Sequence, residues 1–123
     1  MIAFVMENRY KLSMESKPSD DIVIEKMVRR IVDHSHPLKI ILFGSRARGT
    51  ARTDSDVDLL VVLSSVGSRT RAAAEIYGYL GAVGLSKDIV IFTPKELDEY
   101  KDVEGTVIKP ALEEGKVLYE RVA

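Results

Sequence analysis

The chain has 123 residues, with 18 basic and 19 acidic side chains and no cysteine. This length suits a single domain with a substantial core, and the lack of cysteine excludes disulfides, thiolate catalysis and cysteine zinc sites. The net charge of −1 gives no support for sequence-independent binding of nucleic acid, which needs a basic surface. No apolar run approaches the roughly 20 residues of a membrane-spanning helix, so we expect a globular protein of the cytoplasm.

The start of the chain has no clear hydrophobic period. We interpret residues 1–17 as an N-terminal extension and residues 18–123 as the domain. The extension is either poorly ordered, an edge strand over residues 2–6, or translated sequence upstream of a later start. Pro18–Asp21 then predicts the start of a helix, with Ser or Asp as its cap. The helix should end before Pro37, because the residue that precedes a proline disfavours the helical conformation.

Two apolar runs, Ile40–Phe43 and Val57–Leu63, predict a short buried strand and a longer one. Pro110 interrupts a later helical pattern, so that helix is either kinked or begins near Lys109. The other predicted elements are a helix over Arg69–Val83, a strand over Asp88–Phe92, a short helix from a capping box at Thr93–Glu96, and a last strand over Val117–Tyr119.

The connection between the first two strands indicates the fold class. Residues 44–56 are only thirteen and contain no obvious complete crossover helix, although Ser45–Arg52 could supply a helical turn. Parallel neighbours need a crossover of a dozen or more residues, which is usually a helix. We therefore predict an α+β fold, with a mixed β-sheet flanked by helices on one side rather than a doubly wound parallel sheet.

The loop between these two strands carries the chemistry. Asp56 and Asp58 open the second strand and share one of its faces, about 7 Å apart along the backbone. Paired carboxylates at a strand edge suit Mg²⁺, which takes oxygen ligands and completes its shell with phosphate and water. Gly44-Ser45 is a small-residue turn that offers backbone N–H groups to a phosphate. The loop therefore predicts a metal–nucleotide site.

Gly44-Ser45, ten further residues and Asp56-Val57-Asp58 make the pattern G-S-x10-D-x-D between two apolar strands. This pattern resembles the nucleotidyltransferase superfamily, whose fold is shared with polymerase β. The segment F-G-S-R-A-R-G-T-A-R-T-D-S-D-V-D-L-L-V is similar to the minimal nucleotidyltransferases. The likeness extends over roughly Leu38–Tyr119, because D-I-V-I-F-T-P-K-E-L and A-L-E-E-G-K-V-L-Y-E also fit that family. The alternative interpretation of this pattern is an acidic turn beside a glycine loop in a non-enzymatic α/β domain.

The resemblance implies roles for three carboxylates. Asp56 and Asp58 would hold Mg²⁺, and Asp88, at the start of its own apolar strand, matches the third acid of the family. Asp88 would help to bind a second ion and would draw the proton from the attacking hydroxyl. Two metal ions about 3.5–4 Å apart can stabilise both the attacking and the leaving oxygen of an in-line displacement.

The other end of the loop is expected to hold the phosphates of ATP. Gly44 would let the backbone approach phosphate closely, and Ser45 would donate O–H and N–H groups to it. Arg46, next to the serine, is the favoured contact with the triphosphate. Arg48 is expected to brace the loop through Asp54 or a neighbouring acid.

The resemblance implies that the chain transfers an adenylyl group from ATP to a hydroxyl and releases pyrophosphate. It also implies a partner, a small helical HEPN toxin whose tyrosine hydroxyl the chain would modify as an antitoxin. The chain is too short for a separate acceptor-binding domain, which agrees with an acceptor supplied in trans. Two alternatives remain: a binding module that neutralises its partner by occlusion alone, and a transferase for an aminoglycoside-like acceptor, built as a homo-oligomer with a cleft between subunits.

Overall fold

The computed structural model describes residues 2–4, 18–82 and 84–122. In chain order the elements are β1 (Ile2–Phe4), α1 (Pro18–Ser35), β2 (Lys39–Phe43), α2 (Ser45–Arg48), β3 (Val57–Val62), α3 (Arg69–Leu80), β4 (Lys87–Phe92), α4 (Pro94–Tyr100), α5 (Ile108–Glu114) and β5 (Lys116–Arg121). None of the helices found in these ranges is long and apolar enough to cross a membrane.

Local signals explain most of these bounds. The predicted capping box begins α4, because the Thr93 hydroxyl accepts the Glu96 N–H and the Glu96 carboxylate accepts the Thr93 N–H. Ser68 caps α3 by accepting the Arg71 N–H at 3.2 Å. Pro110 falls in the first turn of α5, where its missing N–H has no helical partner to lose, so α5 begins at Ile108 and needs no kink.

The strands form one mixed sheet in the order β1-β5-β2-β3-β4. β1 pairs antiparallel with β5, β5 with β2 and β2 with β3, whereas β3 and β4 are parallel, with α3 as their crossover. The prediction of a mixed sheet flanked by helices is therefore confirmed. At the N-terminus, the predicted alternative of an edge strand is observed as β1 over Ile2–Phe4. Residues 5–17 lie outside the described residues.

Helices cover both faces of the sheet, so the expectation of helices on one side was wrong. On the first face α1 and α3 pack on strand residues such as Leu59 and Val61. On the second face Ala111 of α5 and Leu97 of α4 pack with Leu60. The reason lies in β2 and β3, which are apolar at successive positions and not at alternate ones. Both faces of these central strands must therefore be buried.

Candidate active site

Two of the predicted acids lie side by side at the centre of the candidate site. Asp58 and Asp88 are direct partners in the parallel pairing of β3 with β4, so about 4.8 Å separates their backbones. Their neighbours Leu59 and Ile89 belong to the core on the first face. Asp58 and Asp88 must therefore both point to the second face, because successive side chains of a strand alternate. Asp56, two residues before Asp58, is exposed at the entrance of β3.

The acids repel one another. The pKa of Asp58 is raised from 3.8 to about 6, first by burial and then by the charges of Asp88 and Asp56. Arg48 and Arg46 lower the pKa of Asp58, in that order, but do not cancel these effects. Within the described ranges, no hydrogen bond or ion pair reaches any of the three carboxylates. The site thus has a local excess of negative charge that a cation would relieve.

These residues fit Mg²⁺ in its usual binding mode. Mg²⁺ is typically held by one or two carboxylates together with substrate phosphates and waters, not by a closed cage of protein ligands. Asp58 and its neighbours offer the oxygen donors for this mode. Among the described residues, no group of three or more His, Cys, Asp or Glu side chains is close enough to hold a metal ion unaided. Any third and further ligands would therefore have to come from substrate and water.

Gly44 packs directly against Asp58. Its φ is +75°, a conformation that favours glycine. A Cβ atom at this position would lie 2.1 Å from Oδ2 of Asp58, because Phe43 is the partner of Asp58 in the pairing of β2 with β3. Sequence reasoning assigned this glycine to phosphate. The contact that requires glycine here is with the carboxylate of Asp58.

Ser45 follows at the start of α2 and is half-buried. Its carbonyl accepts the Thr50 N–H at 3.0 Å, which closes the turn after α2. No hydrogen bond to the Ser45 hydroxyl is present in the part of the chain that is described. The hydroxyl is therefore available to a ligand, as its predicted role requires.

The two arginines of α2 differ in their burial and in their partners. Arg46 is only 1% exposed, and its guanidinium donates to the Ser55 carbonyl and the Asp20 carboxylate. The prediction that the Arg46 side chain contacts the triphosphate does not fit this geometry, because the side chain is enclosed by protein. Arg48 is exposed and forms an ion pair of 3.5 Å with Glu114, not with Asp54. Arg48 is thus the cation of α2 that a ligand can reach.

Sequence reasoning missed three residues around the site. They are Asp20, Ser55 and Tyr77, and sequence reasoning gave none of them a role in the site. The Tyr77 hydroxyl accepts the Ile89 N–H at 2.8 Å and so ties β4 to α3 next to Asp88. The contacts of Asp20, Ser55 and Tyr77 join different segments of the chain. No local sequence pattern predicts such contacts.

The fold is that of a nucleotidyltransferase. A family described as the nucleotidyltransferase domain matches residues 23–118, and the chain belongs to this family. The prediction of a protein like the minimal nucleotidyltransferases is confirmed. A solved structure described as "Crystal structure of the toxin-antitoxin with AMP-PNP" contains a similar fold, with 21% identity and a TM-score of 0.50. The match covers 85% of this chain and 74% of that one. No curated protein sequence matches this chain.

Proposed function

We propose that this chain is a cytoplasmic, Mg²⁺-dependent nucleotidyltransferase that transfers AMP from ATP to a hydroxyl of a protein partner and releases pyrophosphate. The observation that carries the proposal is the pairing of Asp58 with Asp88 in register on parallel strands. Asp56 lies two residues before Asp58, and the turn at Gly44 contacts Asp58. Unpaired acids beside a free serine hydroxyl are the arrangement expected for metal-assisted phosphoryl transfer.

The chain's own residues divide the reaction between them. The Ser45 hydroxyl and the Arg48 guanidinium bind and orient the triphosphate, and Asp56 and Asp58 would hold Mg²⁺. When bound, Mg²⁺ supplies positive charge that stabilises the phosphate oxygens in the transition state. The acceptor oxygen forms a bond with the α-phosphorus, and the bond to the β-phosphate oxygen breaks. Asp88 takes the acceptor's proton, and pyrophosphate leaves next to Arg48.

The position of Asp88 supports an acceptor that comes from another molecule. β4 is the last strand of the described sheet on its side, and Asp88 is exposed there. An acceptor hydroxyl can therefore approach from the open edge beyond β4. The resemblance to minimal nucleotidyltransferases supports a tyrosine of a helical HEPN toxin as the acceptor, with this chain as its antitoxin. The solved toxin–antitoxin neighbour was crystallised with AMP-PNP, which supports adenine as the base.

The test is label transfer. The purified chain is mixed with Mg²⁺, one of the four α-labelled nucleoside triphosphates, and a helical protein encoded by the adjacent gene. Label from ATP should appear on the partner, and the transfer should be lost in Asp56→Ala and Asp58→Ala. Asp54→Ala is the matched control, because Asp54 is an exposed acid of the same loop.

Two other outcomes select the alternatives. If Asp56→Ala and Asp58→Ala neutralise the partner as well as the wild type does, and no label moves, the chain acts by occlusion. If an aminoglycoside accepts the label and no protein does, the chain is a small-molecule transferase.

A further inference from the structure

Arg46 is the one charged side chain that is fully buried in the described part of the chain. Its Nε and Nη2 atoms donate to the Ser55 carbonyl at 3.2 and 2.9 Å. Its Nη1 atom donates to Oδ2 of Asp20, at 3.3 Å, in the first turn of α1. One guanidinium therefore connects α2, the loop before β3 and α1. All three segments meet beside the candidate active site.

The carbonyl, the N–H and the hydroxyl of Ser55 all form hydrogen bonds. Its carbonyl accepts the two bonds from Arg46, its N–H donates to the Arg52 carbonyl at 3.0 Å, and its hydroxyl accepts the Arg52 N–H at 2.7 Å. The next residue in the chain is Asp56. These hydrogen bonds therefore hold the backbone just before the chain enters β3 at Val57.

Stability alone is a poor explanation for Arg46. A buried charge carries a desolvation cost, and well-packed apolar residues often replace a buried ion pair without loss of stability. What an apolar residue cannot supply is a planar fork that grips one carbonyl with two N–H groups. The contacts of Arg46 thus hold the backbone directly before Asp56 in a defined position.

We infer that Arg46 is a positioning residue. It holds the backbone directly before Asp56, and so orients the carboxylates that would bind a divalent cation, and its side chain does not contact the nucleotide. This inference rests on the proposed function for its catalytic consequence. Its consequence for cation binding stands apart from any transfer reaction.

The test compares Arg46→Lys with the wild type and uses Mn²⁺ as the probe. Lysine keeps the charge but loses the fork. Mn²⁺ affinity is measured by electron paramagnetic resonance, with and without AMP-PNP, and kcat and KM for ATP are measured by label transfer. Loss of a residue that orients metal ligands typically costs roughly 10- to 100-fold in metal affinity or activity. We expect weaker Mn²⁺ binding of that order, a similar fall in kcat, and a KM for ATP within about threefold of wild type.

Arg30→Lys is the matched control. Arg30 donates to the Leu80 carbonyl at 2.8 Å and so braces α1 against α3, away from the acids. It should lower the melting temperature somewhat and leave Mn²⁺ affinity, kcat and KM unchanged. Should Arg46→Lys not fold, Asp20→Ala removes one arm of the brace, and Asp33→Ala, an exposed acid of α1, is its control. Asp20→Ala should then weaken Mn²⁺ binding at least threefold relative to Asp33→Ala.

Several outcomes overturn the positioning role. One is unchanged Mn²⁺ affinity in a folded Arg46→Lys chain, or in Asp20→Ala if the lysine variant does not fold. Another is a large rise in the KM for ATP at constant kcat, which would assign Arg46 to the phosphates. A wild-type chain that binds no Mn²⁺ overturns the role together with the metal site. A wild-type chain that binds Mn²⁺ but transfers no label refutes the proposed function only, and the Mn²⁺ comparison still decides the role of Arg46.

Discussion

Asp58→Asn should stabilise the protein in the absence of divalent cations. Asp58 is partly buried between the charges of Asp56 and Asp88, and its pKa is raised to about 6. An asparagine of the same shape keeps the packing against Gly44 and removes the charge. The gain arises because the site maintains a repulsion that only a bound cation would relieve.

The pKa of Asp58 sets the magnitude. A rise from 3.8 to about 6 corresponds to about 3 kcal/mol at 1.36 kcal/mol per unit. The carboxyl is partly exposed, so screening by water and salt reduces this to about 1.5 kcal/mol. For a chain of this length, that is an increase of about 5 °C in the melting temperature.

The effect must depend on pH with a defined sign. The pKa of Asp58 is higher in the folded than in the unfolded state, so the ionised carboxylate destabilises the fold. The cost is complete above about pH 6 and falls as the pH drops from about 6 towards 3.8, where the unfolded chain also takes up the proton. Asp58→Asn should therefore exceed the wild type in melting temperature at pH 7.5 and equal it near pH 4.

The assay is thermal unfolding followed by circular dichroism at both pH values, in EDTA and then in Mg²⁺. Mg²⁺ should raise the melting temperature of the wild type more than that of the variant, because Mg²⁺ binding stabilises the folded state and the variant lacks the Asp58 carboxylate. Asp54→Asn, in the same loop, should change the stability by no more than about 0.5 kcal/mol. Equal melting temperatures of Asp58→Asn and wild type at pH 7.5 in EDTA, or a gain that persists at pH 4, would refute the electrostatic argument.

Three further predictions concern neighbouring residues. Gly44→Ala should lower the free energy of unfolding, measured by urea denaturation, by at least about 2 kcal/mol, because φ is +75° and the new Cβ would clash with Asp58. Gly67→Ala is the control and should have little effect, because its Cβ would have no atom within 4 Å. Asp88→Asn should lower kcat by roughly 10²–10⁴ and leave AMP-PNP affinity within about threefold, as measured by label transfer and calorimetry, since it removes the proton acceptor. Arg48→Ala should raise the KM for ATP about tenfold, because one charge-assisted contact with the phosphates is lost. Glu114→Gln should lower the KM for ATP, because it releases Arg48 from its ion pair. Unchanged KM values in both variants would contradict the assignment of Arg48 to the phosphates.

The sequence was sufficient for most of the elements, because they depend on local signals. The signals for the capping box at Thr93, the turn at Gly44 and the spacing of Asp56 and Asp58 each lie within a few residues. The register that sets Asp58 opposite Asp88 depends on the crossover through α3 and on the packing of that helix. No pattern within either strand contains that information. The second layer of helices was also missed, although the continuous apolar run Leu59–Val62 in β3 predicts burial on both faces.

The assignment of Arg46 shows where local reasoning fails. Arg46 and Arg48 are two residues apart in the same loop, have the same charge and follow the same serine, so sequence alone favours whichever lies closer to it. Their fates diverge because residues two apart on a helical turn point in different directions. Arg46 meets Asp20, 26 residues earlier, and is enclosed, while Arg48 meets Glu114 at the surface. Burial of the first arginine thus follows from tertiary packing, and it leaves the second as the cation of α2 that a nucleotide can reach.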